Sequence, residues 1–428
     1  MKDTINIGLI GFGIVGAGAV SILTDNAAAI QQRVGAAMKI KKIADLDITT
    51  PRPVKVDPGV LTTNADEVIN DPEIDIVIET IGGVKPAGDF IRRALQNGKH
   101  VVTANKELLA KEGKSLLPLA CELNRDLLFE ASVGGGIPII GPMKTSLAGN
   151  EIIDIKGIVN GTTNYILTRM ANEGLDYAQV LPDAQARGYA EANPTADVEG
   201  YDAAYKIAIL ASIGFTSRVD VTKVYHEGIT HIASEDMAYA DAFGYVIKLL
   251  AIAQRIDGAM LARVHPTFVP KNHPLANVNG VMNGIFVHGD AVGDVMFYGP
   301  GAGSMAAGSA VVGDVIEIAR NIRFDATSRI SCTCYDERKM LSMDSVKCKN
   351  YIRLRTEDKP NVLASIATAF GENNVNIESV MQKVLPDATA EVVWLTHVAE
   401  EPNTRRALEC IGALPAVREI CNWIRVEE

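Results

Sequence analysis

Residues 5–10, Ile-Asn-Ile-Gly-Leu-Ile, run directly into Gly11-Phe12-Gly13-Ile14-Val15-Gly16. An apolar run ending in G-x-G-x-x-G leaves few ways to fold. The glycines permit a tight turn and close approach of the backbone to a pyrophosphate, which then sits at the N-terminus of the following helix. At a strand-to-helix junction this pattern predicts a dinucleotide site built by Gly11, Phe12, Gly13, Ile14, Val15 and Gly16. The uncharged stretch Thr4–Thr24 has no basic flank or small-residue cleavage site. Strand, turn and helix explain it better than a signal peptide or membrane span.

The next 130 or so residues alternate apolar strands with helical stretches, as a parallel sheet with helices on both faces requires. Strands are expected at 5–10, 38–45, 74–79, 100–102 and 127–130, with helices at 65–69 and 87–97. A chain of 428 residues is too long for one core. Residues 1–145 read as the dinucleotide domain. Residues 146–324 read as an α+β unit with a mixed sheet, whose helix 304–320 packs back on the first domain. Residues 325–348 read as a linker. Residues 349–428 repeat a strand–helix–strand order twice, the βαββαβ pattern of a ferredoxin-like domain. The predicted class is therefore α/β.

A net charge of −11 argues against nucleic acid and anionic membrane as partners. Six cysteines without a C-x-x-C pair suit reduced thiols in a cytoplasm.

Strand exits in such a sheet face the ligand crevice. Asp45, at the end of the second strand, is placed to accept from the ribose hydroxyls and to repel a 2′-phosphate, which favours NAD over NADP. Arg52 and Lys41 are the cations that could still reach a phosphate. Thr80, in Glu79–Gly83, is expected beside the nicotinamide. Lys106 ends Thr103-Ala104-Asn105-Lys106, where it either meets the substrate or is simply solvated. Glu130–Pro138 ends in three consecutive glycines. It reads either as a hinge or as a cage in which Glu130 and freed carbonyls hold a hard monovalent cation.

The segment GYAEANPTADVEGYDAAYK, residues 188–206, gathers Glu191, Asp197, Asp202 and Lys206 just ahead of an apolar helix. Asp202 and Lys206 are four apart and share a helix face. They form either an ordinary helical ion pair or a partly dehydrated lysine poised for proton transfer.

The chain resembles homoserine dehydrogenase. The resemblance rests on GFGIVG (11–16), TANK (103–106), EASVGGGIP (130–138), NGTTNYIL (160–167) and, above all, residues 188–206. It implies NAD(P)-dependent interconversion of L-homoserine and L-aspartate 4-semialdehyde, a step toward threonine, methionine and isoleucine. It also implies Lys206 as proton donor, Lys106 as a second catalytic or binding lysine, and Asp202 orienting Lys206. Glu191 would bind homoserine, and Asp197 would join it at the amino end. Gly301 would touch the cofactor. Glu130 with the carbonyls of Val133, Gly135 and Ile137 would hold sodium. The middle unit would form a homodimer, doubled to a homotetramer by the last domain, which resembles an ACT domain that binds an amino-acid effector, often threonine. Two positions depart from the family pattern. Asn361 replaces the glycine of D-x-P-G-V-L, which puts threonine control in doubt. Ala44 stands where many relatives place an arginine, in line with NAD.

Three other readings compete. An aspartate-semialdehyde-type dehydrogenase needs a cysteine nucleophile at a strand exit, and no cysteine is placed there. A non-catalytic amino-acid sensor would have no need of the segment 188–206. A metal site at His226 and His231 has a spacing of five rather than the four of a helical ligand pair.

Overall fold

The computed structural model describes residues 2–427 apart from 328 and 331. Its first sheet has six parallel strands. Their spatial order is Leu61–Thr62, Ala37–Ala44, Thr4–Ile10, Ile76–Glu79, His100–Thr103 and Leu127–Leu128. Strand order reverses between Thr4–Ile10 and Ile76–Glu79, which opens a crevice beyond their carboxyl ends. Ile5, Ile7, Ile76, Ile78 and Val102 fill the space beneath it.

One expectation here needs correction. The last strand stops at Leu128, and Glu130–Ser132 forms a single 3₁₀ turn instead. The Glu130 N–H is claimed by Asp314 Oδ2 at 2.7 Å, so no neighbouring strand receives it. The helices expected at 65–69 and 87–97 are followed by a third, of 17 residues, Lys106–Glu122.

The second sheet has eleven strands. Its centre is a hairpin of two 12-residue strands, Tyr245–Ile256 and Ala259–Pro270. Asp257 and Gly258 turn it with φ of 48° and 79°, the left-handed pair that suits right-twisted strands. Ile152–Ile158, Met282–Gly289 and Gly293–Pro300 extend the sheet on one side.

On the other side the C-terminal unit joins the same sheet. Its last strand, Val417–Val426, runs parallel to Ala259–Pro270 through Thr267–Arg425 and Phe268–Val426. Lys347–Glu357, Thr389–Thr396 and Ile377–Val384 follow, antiparallel. Helices Val362–Glu372 and Glu401–Gly412 cover one face over Leu354, Ile366, Phe370 and Trp394. The other face is not free. Arg353 donates to Asp236 Oδ1 at 2.7 Å and to Glu391 at 3.1 Å, and Tyr351 and Asn422 also donate to Asp236. Buried charges demand partners, and these bind the C-terminal unit to the helix Ser234–Ala242.

The helix Ser304–Arg323 returns to the first unit and lies along Ile14–Asp25. A Cβ at Gly308 would sit 2.6 Å from the Gly18 carbonyl carbon, so this approach needs glycine. Among the described residues no single helix is long and apolar enough to cross a membrane.

Candidate active site

The glycine turn has the shape of an anion cradle. A Cβ at Gly16 would lie 2.1 Å from the Gly11 carbonyl oxygen, whereas one at Gly13 would meet nothing within 4 Å. The turn is thus closed on its inside and open above the helix N-terminus, which no side chain caps. A pyrophosphate fits this opening. Thr80 Oγ1 donates to Gly11 O at 2.7 Å and fixes the turn to the neighbouring strand. Phe12 donates its N–H to Asp45 Oδ2 and buries its side chain, so it braces the turn, while Gly13 and Ile14 are exposed.

Asp45 also accepts from Asp47 N at 2.8 Å, which holds its carboxylate at the mouth of the second strand. Arg52 lies beside it, donating to Phe12 O at 2.7 Å and standing 3.6 Å from Asp47. Lys41 is tied to Asp71 at 2.8 Å, away from this end. A cleft of about 630 Å³ between Asp45, Leu46, Ile81 and Pro86 has the room for an adenosine.

Two strand spacings, about 10 Å, separate the glycine turn from the exit of His100–Thr103. Thr103 donates to Glu79 Oε2 at 2.6 Å. Burial pushes the Glu79 carboxyl up despite the donors around it. Asn105 caps the next helix by accepting from Leu108 N at 3.0 Å, and its amide holds Gly83 O at 2.6 Å. Lys106 is thereby fixed at the first helical position, with its side chain 43% exposed.

The helix Tyr201–Gly214 packs against Lys106–Glu122 and brings Asp202 to the same place. Asp202 is 3% exposed and Lys206 is 8% exposed. One Asp202 oxygen pairs with Lys106, and the other accepts from Lys206 Nζ at 2.7 Å. Lys206 also donates to the Val159 carbonyl at 2.7 Å. Two of its three N–H bonds are thus committed, and the third has no partner among the described residues. Packing of the two helices thus adds the half-exposed Lys106 to the buried pair spaced four apart, with one carboxylate between two ammonium groups.

The electrostatics split the lysines. Burial lowers the Lys206 pKa and outweighs Asp202, with Lys106 adding repulsion. Burial also opposes the charge on Lys106, but Asp202, Asp197 and Glu191 prevail and raise it. Mutual repulsion does not lower both, because Asp202 stands between the two lysines and its charge prevails at Lys106. The Asp202 carboxyl feels burial too, yet the two cations hold it far below the usual range.

Asn160 is the residue that sequence reasoning missed. Its amide donates to Asp197 Oδ1 at 2.7 Å and to Asp202 Oδ2 at 2.9 Å, while its oxygen caps the helix Gly161–Glu173 through Thr163 N. An asparagine three residues before a threonine at a strand exit was the available signal. Asp197 is half-buried; burial and the Asp202 charge raise its pKa. Glu191 is exposed on the loop above, near enough to act on Lys106 through its charge.

Glu130 anchors the far end of the glycine-rich turn. Its carboxylate accepts from the amides of Ile139, Ile140 and Gly141 at 2.6–2.7 Å, at the start of the short helix Ile140–Lys144. The carbonyls of Val133, Gly135 and Ile137 accept no hydrogen bond among the described residues. Gly301 lies against this turn: a Cβ at Gly135 would be 2.3 Å from the Gly301 oxygen. Asn283, wholly buried beside Gly301, has both amide atoms unpartnered. His226 contacts the Glu199 carbonyl at 3.2 Å, and no group of three metal-ligating side chains occurs among the described residues.

A dinucleotide cradle facing a buried lysine–carboxylate pair defines an NAD(P)-dependent oxidoreductase. Family models agree: one for the NAD-binding domain of homoserine dehydrogenase matches residues 11–130, one for homoserine dehydrogenase matches 138–316, and one for the ACT domain matches 350–416. The chain is 46% identical to a homoserine dehydrogenase of Synechocystis over 99% of both chains, and 41% identical to that of Bacillus subtilis over 99% of this chain and 98% of the other. The solved homoserine dehydrogenase of Thiobacillus denitrificans superposes with a TM-score of 0.93 at 40% identity, covering 100% of this chain and 99% of that one. An archaeal homoserine dehydrogenase solved with NADPH superposes at 0.62 with 26% identity, covering 74% of this chain and 97% of that one. The chain belongs to the homoserine dehydrogenase family.

Proposed function

We propose that the chain oxidises L-homoserine to L-aspartate 4-semialdehyde and reduces it back, with Lys206 moving the proton at the reacting oxygen. The observation that carries this reading is the buried Lys206, whose free N–H and lowered pKa suit acid–base work. When bound, the nicotinamide exchanges a hydride with the carbon bearing that oxygen. Asp202 holds Lys206 in place and balances Lys106, which faces the reacting end of the substrate. Glu191 and Asp197 supply negative charge for its amino group. This places the chain on the route to threonine, methionine and isoleucine.

The direction of the Lys206 shift fixes the pH dependence. Homoserine oxidation needs the neutral amine, so kcat rises with pH through the Lys206 pKa, at a pH below the usual 10.5. Aldehyde reduction needs the ammonium form, so its kcat falls through the same region. Initial rates in both directions across pH check this. Limbs of the same sign in both directions would remove lysine from the proton transfer.

NAD is the favoured cofactor. The Asp45 and Asp47 carboxylates stand at the ribose end against the single Arg52 cation, which opposes a 2′-phosphate. We expect kcat/KM to favour NAD⁺ over NADP⁺ by about tenfold, and Asp45→Ser to narrow the ratio. Since one tenfold step is about 1.4 kcal/mol, loss of a single charge repulsion suffices. An unchanged ratio in Asp45→Ser would discard Asp45 as the discriminator.

Glu191→Ala should raise KM for homoserine about tenfold while leaving KM for NAD⁺ alone, as removal of a binding group does. A change confined to the cofactor KM would contradict its substrate role.

The free carbonyls of Val133, Gly135 and Ile137, with the orphaned Asn283 amide nearby, fit a monovalent cation such as sodium. Glu130 would contribute through what three backbone donors leave of its oxygens. Asn361 takes a left-handed φ of 70° before the helix Val362–Glu372, so the effector turn keeps its shape while carrying an exposed side chain in place of the glycine. This supports weak threonine control at the ACT domain. The six free thiols favour a cytoplasmic enzyme, and exposed Ile153, Val292 and Tyr298 on the mixed-sheet strands and their turns favour a homodimer or homotetramer.

A further inference from the structure

Cys332 and Cys334 lie on the segment that follows the long helix Ser304–Arg323, outside the site described above. Arg218 Nη2 stands 3.3 Å from Cys332 Sγ, and Cys334 Sγ donates to the Ser212 carbonyl at 3.4 Å. Lys144 lines the same space, its ammonium 4.9 Å over the Phe129 ring. Neither Arg218 nor Lys144 forms a salt bridge to a carboxylate among the described residues. The Arg218 guanidinium, without a close carboxylate, calls for an anion, and the thiol it faces can supply one, with Lys144, whose charge burial opposes, alongside. Asp314 acts on Lys144 only at longer range.

Two small cavities flank Cys332. One, of about 20 Å³, is bounded by Lys144, Ser212, Arg218 and Cys334. The other, of the same size, is bounded by Leu117, Cys121 and Lys144. Each has about the room of one water molecule, which favours a small electrophile over a bulky one.

We propose that Cys332 is a peroxide-reactive thiolate and Cys334 its resolving partner. The Cys332 sulfur attacks one peroxide oxygen, the O–O bond breaks, and hydroxide leaves to be protonated to water. The resulting sulfenic acid is attacked by Cys334, which forms a disulfide and releases a second water. The peroxide gains two electrons and the two thiols lose them. Cys334 beside it and the Arg218 guanidinium at 3.3 Å pull the Cys332 thiol down against the opposing effect of burial, which favours the thiolate. Positions two apart span at most about 7 Å of chain, a reach that includes the Cα separations a disulfide accepts.

The test uses the intact enzyme. Hydrogen peroxide is added in equimolar amount at about pH 6, where ordinary thiols are protonated. Catalase then ends the reaction, the protein is denatured in N-ethylmaleimide, and its peptides are weighed. The expected result is the 332–334 peptide as an intramolecular disulfide, formed at least about tenfold faster than any oxidation of the exposed Cys121 and Cys410. Dithiothreitol reverses it, and Cys334→Ser stops at the sulfenic acid of Cys332. Full alkylation of the 332–334 peptide while Cys121 or Cys410 is oxidised would overturn the proposal. So would oxidation of Cys334 at the wild-type rate in Cys332→Ser.

Discussion

Lys206→Ala should lower kcat for homoserine oxidation by about 10²- to 10⁴-fold, the usual contribution of a positioned acid–base group. The loss should fall on kcat and on kcat/KM alike, because the proton moves only in the transition state. The fold should survive. Asp202 keeps Lys106 as its counter-ion, and the Asn160 amide remains on the oxygen that Lys206 vacates. Lys206 is nevertheless 8% exposed, and its aliphatic stem fills space against the strand exit at Val159. Lys206→Met, which keeps that volume, separates packing from chemistry: it should be as inactive as Lys206→Ala but melt closer to the parent. Steady-state rates with thermal melts check both. Turnover within about threefold of the parent in either variant would remove Lys206 from the mechanism.

Asp202→Asn should be the more damaging change to the protein as a whole. The carboxylate is 3% exposed and neutralises two ammonium groups at once. Removing one member of a buried ion pair typically costs about 3–5 kcal/mol. Here the cost is limited, because Lys206, whose pKa is already lowered, can shed its proton. The sign follows from the same fact. Asp202 raises the Lys206 pKa, so without it that pKa falls further, and the rising limb of homoserine oxidation moves to lower pH. Aldehyde reduction near neutrality should drop by about 10²-fold or more, since it needs the ammonium form. Urea unfolding gives the stability term and pH–rate profiles give the catalytic one. A merely structural Asp202 would lower stability without moving the limb.

Much of this site was legible because its key contact is local. Asp202 and Lys206 are four apart on one helix, and the apolar residues around them announce burial. Gly11–Gly16, Thr80 and Lys106 were found for a related reason: strand exits in a parallel sheet converge on one edge. What escaped was set by tertiary contact. The opposite shifts of the two lysines depend on where Asp202 lies between two helices about ninety residues apart in the chain. The three amides that the Glu130 carboxylate meets belong to a turn that periodicity did not reveal. Asn160 serves two distant carboxylates, and its own neighbours show only its capping role.

The fold shows the same division. The hairpin at Asp257-Gly258 had a local turn signal, an Asp-Gly pair between apolar strands. The parallel pairing of Val417–Val426 with Ala259–Pro270 has no local signature at all. It joins what the chain order presents as two separate sheets, and buried Asp236 and Arg353 are its chemical counterpart.

The pH dependence of kcat for homoserine oxidation, compared in the parent, Lys106→Ala and Lys206→Ala, tests the account most directly. The rising limb should persist in Lys106→Ala, displaced upward because a repelling neighbour is gone, and should vanish in Lys206→Ala. A limb retained in Lys206→Ala and lost in Lys106→Ala would contradict it and transfer the proton to the other lysine.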